Sequence, residues 1–525
     1  MRSREVRATY QAPPNCSGSV VPRFTISSSS TIFMRNFLAI IGAVALCSCS
    51  GDSEIAASSS ISGGDDFLEL IDDARVAVNA GNLSEAGRYY DEARALEPDN
   101  PGLWVDIARL RFRGGEHLTA IEAADYALEL DPQYPSALLM RAQLVRDANG
   151  LAESLVWFET AALAAHSDPE ILADYAATLG ELGRYSDMLK VVRQLAVAAP
   201  NHPHVHFLQA VLAARAGDPV LAGSLLNRSG LVGRGVASAM MLDAIVNLQQ
   251  GTYDTAAETL QTLAERQPAN VRVNELLARA LWLGGRDRAL VDRFEGQASR
   301  NNASPYIVML VGRSLERMGD RERAIPFIER ALEGRTDDQI ILEGSARPGG
   351  RLPIATAELR DFVGAGSLAP ARRLADILLE RAPSSGDIHS LAGDTYLASD
   401  ETQRALELYE VSARVRRSWP LTRKMVEAFM AYGDQVSAEV LLTRHIAGDP
   451  HNTEALLLLA QRSAGNEDWL RTAVLLDTAI GLGAGNDLEV LALRADAARA
   501  LGEEEDAERF DQLLTHLKPG EFLSL

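Results

Sequence analysis

The only cluster of histidines in the chain is His202, His204 and His206. His202 and His206 are four residues apart, and on a helix this spacing could place two metal ligands on one face. Pro203, however, favours a helix that begins after His202, and no fourth ligand lies nearby in the sequence. A metal site needs a complete set of ligands supported by neighbouring groups. We therefore expect no metal site here.

The residues needed for phosphate binding or for nucleophilic catalysis are also missing from the sequence. No GxxxxGK[ST] phosphate-binding loop occurs, and the segment 347–350, RPGG, follows no clear strand. Pairs of Asp and Glu are abundant, but their spacing is that of a solvated helix surface, and no nucleophile stands beside a base. No stretch is left that is long enough for a separate catalytic domain. We predict that the protein is not an enzyme and needs no cofactor.

Cys49, the last of three cysteines, stands in a distinctive position. It follows a basic start at Arg35, an apolar run over 37–46 that is too short to span a bilayer comfortably, and small residues. This is the layout of a secretory signal. Leu46 and Ser48, three and one residues before Cys49, complete a pattern that resembles the bacterial lipobox. The resemblance implies that Cys49 becomes the lipidated first residue of the mature protein.

Three alternatives remain open for this segment. The apolar run could be a plain membrane anchor or an uncleaved segment. Cys47 could be the modified residue, although bulky Leu46 would then stand directly before the cut. A mitochondrial-type transit peptide would suit the Arg-rich, Ser-rich start but would not explain the cysteine. We predict that Met34 is the true start, that 1–33 is an extension, and that 1–48 comprises this extension and the signal peptide.

Residues 49–66 read as the lipidated cysteine and a flexible, Ser/Gly-rich tether. Ser50, rather than Asp, follows Cys49, and the sorting rule of bacterial lipoproteins then implies the periplasmic face of the outer membrane. Residues 1–48 contain five Arg and one Glu, so the remainder carries a net charge of −25, against −21 for the whole chain. A body this acidic is unsuited to nucleic acid or anionic lipid, so the lipid anchor is the expected membrane contact. No cysteine follows Cys49, so the folded body after the tether contains no disulfide bond.

A pattern that recurs every 34 residues organises the rest of the chain. It is clearest at 101–132, where Trp104 and Ala108 mark one amphipathic helix, Ala120 a second, and Pro132 the end. Eight such units fill 67–338. Their eighth residue is small in every unit: Ala74, Ala108, Ala142, Ala176, Ala210, Ala244, Ala278 and Gly312. Their fifteenth residue is Gly81, Gly115, Asn149, Gly183, Gly217, Gly251, Gly285 and Gly319.

Both columns have a physical reason. A small eighth residue lets two helices pack closely, and a fifteenth residue with a left-handed backbone ends the first helix at low cost. Asn149 is expected to take that conformation because Asn tolerates it best after Gly. The pattern resembles the tetratricopeptide repeat, and the resemblance implies an all-α, right-handed α-solenoid of helix–turn–helix units.

The repeat phase breaks at 339–351, where Gly344, Pro348 and two further glycines disfavour a helix. This segment is expected to be a loop or a hinge. A second, more degenerate array follows over 352–521. Its units begin near Leu352, Gly386, Trp419, Thr453 and Leu488, which makes about thirteen repeats in all.

Binding is the remaining class of function. In tetratricopeptide arrays the first helices of the repeats line a concave groove, and we expect positions 5, 9 and 13 of each unit to face it. An apolar middle would then be flanked by arginines. The candidate groove residues are Arg75, Arg109, Arg113, Arg146, Ala177, Phe207, Val211, Met241, Ile245, Arg279, Arg313 and Arg317. The alternative is that the arginines pair with acids on adjacent turns, such as Glu275 with Arg279.

The resulting interpretation is a lipid-anchored periplasmic scaffold that binds other envelope proteins through the groove. It resembles tetratricopeptide lipoproteins that support envelope machines, such as exopolysaccharide export linked to exosortase loci. A pilotin or assembly factor for a secretin or pilus is one alternative. A polysaccharide-binding solenoid is another, although exposed aromatic residues are sparse along the expected groove.

Overall fold

The computed structural model describes residues 64–268, 270–300, 303–333, 354–485 and 487–517. Over these residues the chain is helical, with 26 α-helices and no strand. The helices are α1 Gly64–Ala80, α2 Leu83–Leu96, α3 Pro101–Arg113, α4 His117–Leu130, α5 Pro135–Asn149, α6 Leu151–Ala164, α7 Pro169–Glu181, α8 Tyr185–Ala198, α9 Pro203–Arg215, α10 Pro219–Ser229, α11 Ala237–Gln250, α12 Tyr253–Arg266, α13 Val271–Leu283, α14 Asp287–Ala298, α15 Pro305–Arg317, α16 Arg321–Glu333, α17 Ile354–Gly364, α18 Leu368–Arg381, α19 Gly386–Ala398, α20 Thr402–Val415, α21 Trp419–Tyr432, α22 Gln435–Gly448, α23 Thr453–Gly465, α24 Trp469–Ala479, α25 Leu488–Leu501 and α26 Glu504–Leu517. The predicted signal segment, Cys49 and the 339–351 segment lie outside the described residues.

Each odd-numbered helix pairs with the even-numbered helix that follows it, so each pair forms one repeat with a first helix A and a second helix B. The A helices often begin at proline, as α5 does at Pro135, because proline fixes a helical φ and its missing N–H costs nothing at that position. Capping side chains assist at several starts. The side chain of Asn100 accepts hydrogen bonds from the backbone N–H groups of Gly102 and Leu103. Asp168 caps α7 in the same way, by accepting from the first backbone N–H groups of that helix.

Glycines in the left-handed region form most of the A–B turns. These glycines are Gly81, Gly115, Gly183, Gly217, Gly251, Gly285, Gly319, Gly366, Gly433 and Gly502. The third repeat differs from the sequence-based expectation. Asn149 remains the last helical residue of α5, and Gly150 has the positive φ of 109°. The prediction for Asn149 was wrong because the chain turns at the adjacent glycine, whose ψ of 171° with positive φ is an extended conformation that only glycine adopts readily.

Two further turns use residues that carry a side chain. Asp400 and Glu467 both have φ of 60° at the fifteenth position of their repeats. Sequence reasoning had assigned no turn residue there. A glutamate rarely adopts this backbone conformation, so we infer that the turn at Glu467 stores local strain.

Small residues form the contact between helices A and B: the eighth residue of each unit on helix A and, in most units, the twentieth residue on helix B, such as Ala120 and Ala256. All seven eighth-position alanines have no exposed surface. At Gly312 an added Cβ would lie 2.6 Å from Cγ1 of Ile328, so that repeat has no room for alanine. Met188 departs from the small-residue pattern of helix B and is fully buried. The space for it comes from Gly180, where an added Cβ would lie 2.8 Å from the methionine sulfur.

The core is a continuous series of apolar clusters, each shared by a few successive repeats. This is the organisation of an α-solenoid, in which a repeat depends on its neighbours. Neighbouring A helices approach one another more closely than neighbouring B helices, which places the A helices on the inner side of the curve. None of the helices formed by the described residues is long and apolar enough to cross a membrane.

The solenoid also contacts itself over a long sequence separation. The A–B turns of repeats 2 to 4 lie against the loops that join repeats 9 to 12. In this contact the backbone N–H of Arg417 donates to the carbonyl of Asp147, with an N–O distance of 2.9 Å. The inter-repeat loops of the second array therefore pack against the A–B turns of the first array.

Candidate partner-binding groove

At the start of the candidate groove, one carboxylate organises two arginines. Asp106 on α3 is 8% exposed and accepts hydrogen bonds from Nε and Nη2 of Arg75 on α1, at 3.2 and 3.0 Å. Nη1 of Arg109 lies 3.6 Å from its other oxygen. Burial acts to lower the pKa of Arg75, but Asp106 outweighs it and the pKa is raised. Asp72, on α1, lies 3.9 Å from Nη1 of Arg75, so these two arginines are balanced by two carboxylates.

The next two arginines join neighbouring repeats. Nη1 of Arg113 donates to the carbonyl of Val78 at 3.2 Å. Nη1 of Arg146 donates to the hydroxyl of Thr178 at 3.2 Å, and its guanidinium lies 5.6 Å from the ring centre of Phe158. Both side chains are thus held in defined positions, with part of their polar surface still accessible.

The arginines at the other end of the first array also have partners. Arg313 pairs with Glu316 at 2.9 Å, with both side chains 34% exposed. Arg317 donates to the carbonyl of Trp282 at 3.0 Å, lies 3.3 Å from Asp287, and stacks 4.2 Å from the Trp282 ring centre. Arg313 and Arg317 thus pair with acids, as the alternative in the sequence analysis proposed. Arg75 and Arg109 do the same with Asp106.

Arg279 lies close to Tyr306, and it opposes the rise that burial causes in the tyrosine pKa. Glu275, the acid that sequence spacing paired with Arg279, contacts Arg272 at 3.0 Å and accepts the Ser304 hydroxyl at 2.6 Å.

The apolar middle of the predicted groove is mostly core. Phe207, Val211, Met241 and Ile245 are 5–7% exposed, because they pack in the clusters that join repeats 4 to 8. Ala177 is half-buried against the same core. These five side chains therefore offer little surface to a partner, whereas the arginines remain accessible.

The histidine cluster lies at the start of α9. The His202 and His204 rings stack with centres 5.2 Å apart, and burial lowers the pKa of both. The Nδ1 atoms of these two rings and of His206 are buried without a hydrogen-bond partner in the described structure. Within the described ranges, no group of three or more His, Cys, Asp or Glu residues could hold a metal ion. The lowered pKa of His202 and His204 favours the neutral form of these two rings.

A buried polar cluster in the second array was missed by the sequence analysis. Asp394, at the ninth position of its repeat, accepts Nζ of Lys424 at 2.8 Å and the hydroxyl of Tyr409 at 2.7 Å. All three residues are at most 5% exposed. Burial raises the pKa of Asp394, and Lys424 opposes that rise. The signal in the sequence was Lys424 itself, one of only three lysines in the chain.

Comparisons with known proteins agree with this architecture. A tetratricopeptide-repeat family model matches residues 71–135, 105–169, 244–289 and 356–420. A search of curated protein sequences finds no significant match.

Solved structures similar to this chain include a tetratricopeptide repeat protein from Parabacteroides merdae, with 18% identity over 52% of this chain and 95% of that one, at a TM-score of 0.26. PilF of Pseudomonas aeruginosa has 16% identity over 44% of this chain and 98% of its own, at 0.31. Yeast Tom70 has 15% identity over 84% and 96%, at 0.30. The matches to the family model and the paired helices of the fold show tandem tetratricopeptide repeats, a class of repeat that mediates contacts between proteins.

Proposed function

We propose that this protein is a lipid-anchored scaffold of the bacterial envelope, which binds an acidic or amphipathic segment of a partner protein along its A helices. The observation that supports this proposal is the set of arginines on α1, α3 and α15, held in place by neighbouring repeats in a chain with a net charge of −21. The charges would orient the partner and raise the association rate.

Among the described residues the B helices carry arginines as well, and Arg372 and Arg471 pair with acids of a neighbouring repeat. Arginines on B helices, such as Arg88 and Arg404, pair with acids on the same exposed helix surface. Such pairs contribute little to stability or to recognition. We prefer the face formed by the A helices because it lies on the inner side of the curve, where one extended segment of a partner can contact several repeats.

Anchoring through Cys49 and a position at the periplasmic face of the outer membrane belong to the same proposal. They rest on the lipobox-like pattern and on Ser50 in the sequence. Assembly of an envelope machine of the exopolysaccharide-export type rests on the resemblance of the sequence to such lipoproteins. The scaffold role itself is supported by the repeats.

The test uses a photo-crosslinking amino acid introduced in living cells at Arg113, on an A helix. The matched site is Val197, which is 84% exposed on helix B of repeat 4. Adducts formed from the A-helix site and not from the B-helix site would identify the partner and the face that it contacts. Adducts from Val197 alone would overturn the groove assignment.

The arginines are tested on the identified partner with Arg109→Gln combined with Arg313→Gln. The control combines Arg88→Gln with Arg404→Gln, which removes the same charge from two exposed pairs on B helices. A charge-assisted hydrogen bond contributes about 1.5–3 kcal/mol, so the groove variant should bind at least about tenfold more weakly. Equal affinity of both double variants, with unchanged circular dichroism, would show that the arginines are only surface pairs.

A further inference from the structure

The contact between the two arrays begins at repeat 2. The backbone N–H of Leu118 donates to the carbonyl of Ser384 at 3.1 Å. Next to it, the backbone N–H of Gly386 donates to Nδ1 of His117 at 3.2 Å. The start of α4 is thereby attached to the loop between repeats 9 and 10.

The same arrangement is repeated one and two units further along. Arg417, in the loop between repeats 10 and 11, donates its backbone N–H to Asp147 and its Nη2 to the carbonyl of Asn149 at 3.1 Å. At the end of α22, Gly448 lies so close to Gly150 that a Cβ on Gly448 would be 3.1 Å from the other glycine's Cα. In the loop that follows α22, Cε1 of His451 lies 3.6 Å from where a Cβ on Gly183, in the turn of repeat 4, would stand. The contact thus follows a regular register along three successive turns.

Apolar packing is missing from this contact as far as the described residues show. Each apolar core cluster lies wholly within the first array or wholly within the second. The ion pair of Arg444 and Glu153, at 3.8 Å, is half-exposed on both sides. An interface of this polar kind allows its two sides to separate, since little apolar surface is lost.

Carboxyl groups form the buried centre of the contact. Glu181, at the end of α7, is 9% exposed, and its Oε1 atom is buried with no hydrogen-bond partner in the described structure. Asp147 and Asp449 approach it from the two arrays. The charged and titratable groups around these three carboxyls are Arg146 and Asp174 from the first array, with Arg416, Arg417, Arg444, His445 and His451 from the second.

We propose that this contact is a pH-dependent latch, which holds the second array against repeats 2 to 4 at near-neutral pH and releases it as the pH rises. The proposal concerns the chain alone and stands whether or not the groove binds a partner.

The direction follows from the buried carboxyls. Burial raises the pKa of Glu181 to about 8, and it also raises the pKa of Asp147 and Asp449. An exposed glutamate has a pKa of about 4.3. A group whose pKa is higher in the closed state supports closure fully below its open-state pKa. That support is lost as the pH rises through about 8, where Glu181 becomes charged while its Oε1 has no hydrogen-bond donor. Burial lowers the pKa of His117 and His445, so protonation of these two rings opposes closure below the pKa of an exposed histidine, about 6.5.

Distance measurement between two spin labels tests the latch in the full chain. Cys16, Cys47 and Cys49 are replaced by serine, and labels are attached at Thr160→Cys on α6 and Ala447→Cys on α22, both exposed. These two helices contact each other across the latch. A single short distance is expected at pH 6.5, with a longer, broader population growing between pH 7 and 9. A distance distribution that is unchanged from pH 6.5 to pH 9 would refute the pH dependence.

Two variants separate the latch from its pH control. Gly448→Leu places a side chain against Gly150 and should abolish the short distance at every pH. Gly465→Leu is the matched control, because this glycine also ends a helix but faces open space. Glu181→Gln should keep the short distance and shift its loss to higher pH. A short distance that persists in Gly448→Leu, with native circular dichroism, would show that the contact does not form in solution. If Gly448→Leu does not fold, an unchanged pH midpoint in Glu181→Gln would refute the latch.

Discussion

Replacing Lys424 with methionine should be among the most destabilising single changes in the second array. The substitution keeps the length and the apolar stem of the side chain, but it removes the cation that lies 2.8 Å from Asp394. The two side chains are only 6% and 4% exposed, so water cannot take the place of the ammonium group. Asp394 would keep one partner, the hydroxyl of Tyr409. Removing one member of a buried pair costs about 3–5 kcal/mol.

The free energy of unfolding should be measured in urea by circular dichroism, with hydrogen exchange over α19, α20 and α21 to localise the loss. Arg404→Met is the matched control, because Arg404 pairs with Glu407 in the same array but both side chains are about half-exposed. An exposed pair of this kind contributes less than about 1 kcal/mol. The two variants differ mainly in the burial of the pair that they break.

The effect of pH gives a second check on the mechanism. The pKa of Asp394 is already raised by burial, and removing Lys424 removes the strongest opposing influence. A raised pKa in the folded state contributes stability below the unfolded pKa, about 3.9 for aspartate, and that contribution is lost as the pH rises. The loss caused by Lys424→Met should therefore be smaller at pH 4 than at pH 7. A loss below about 1 kcal/mol at pH 7, or equal losses at both pH values, would refute the reasoning.

Further predictions concern the anchor and the turns. Cys49→Ala should abolish labelling of cells by a palmitate analogue, and equal labelling of both forms would contradict lipidation at Cys49. Gly217→Val should lower the free energy of unfolding by roughly 1–2 kcal/mol, because φ is +82° there. Gly296→Val, at an open helical position, should lower it by less, and the reverse order in thermal melts would contradict this account. Glu467→Gly should raise the melting temperature by relieving the left-handed backbone.

The fold could be predicted from the sequence because each repeat is determined locally. A small eighth residue, a turn glycine and a proline or capping residue at the helix start act within 34 residues. The weak second array was predicted for the same reason, and helices begin at Gly386, Trp419, Thr453 and Leu488. The errors were also local. Asn149 was given a positive φ that Gly150 adopts instead, and the turn at Glu467 carried no signal because glutamate has no preference for it.

The surface was less predictable than the fold, because exposure depends on how far successive repeats rotate. Position 9 of a repeat holds Arg109 in one unit, Val211 in another and Asp394 in a third. The sequence shows that they are equivalent in register. It does not show that the first stays accessible, whereas the second and third are buried by their neighbours. Side-chain partners such as Trp282 for Arg317 depend on the same rotation.

The contact between the arrays is the clearest case of geometry that accumulates over many repeats. Arg417 meets Asn149 across 268 residues, and Gly386 meets His117 across 269. Each separation is close to eight units of 34 residues, so the contact joins units that are eight repeats apart. A change of a few degrees per repeat would move the loops of repeats 9 to 12 away from the turns of repeats 2 to 4. The register of the latch is thus set by the A–B packing of every repeat between them, and closure reports on the state of the whole first array.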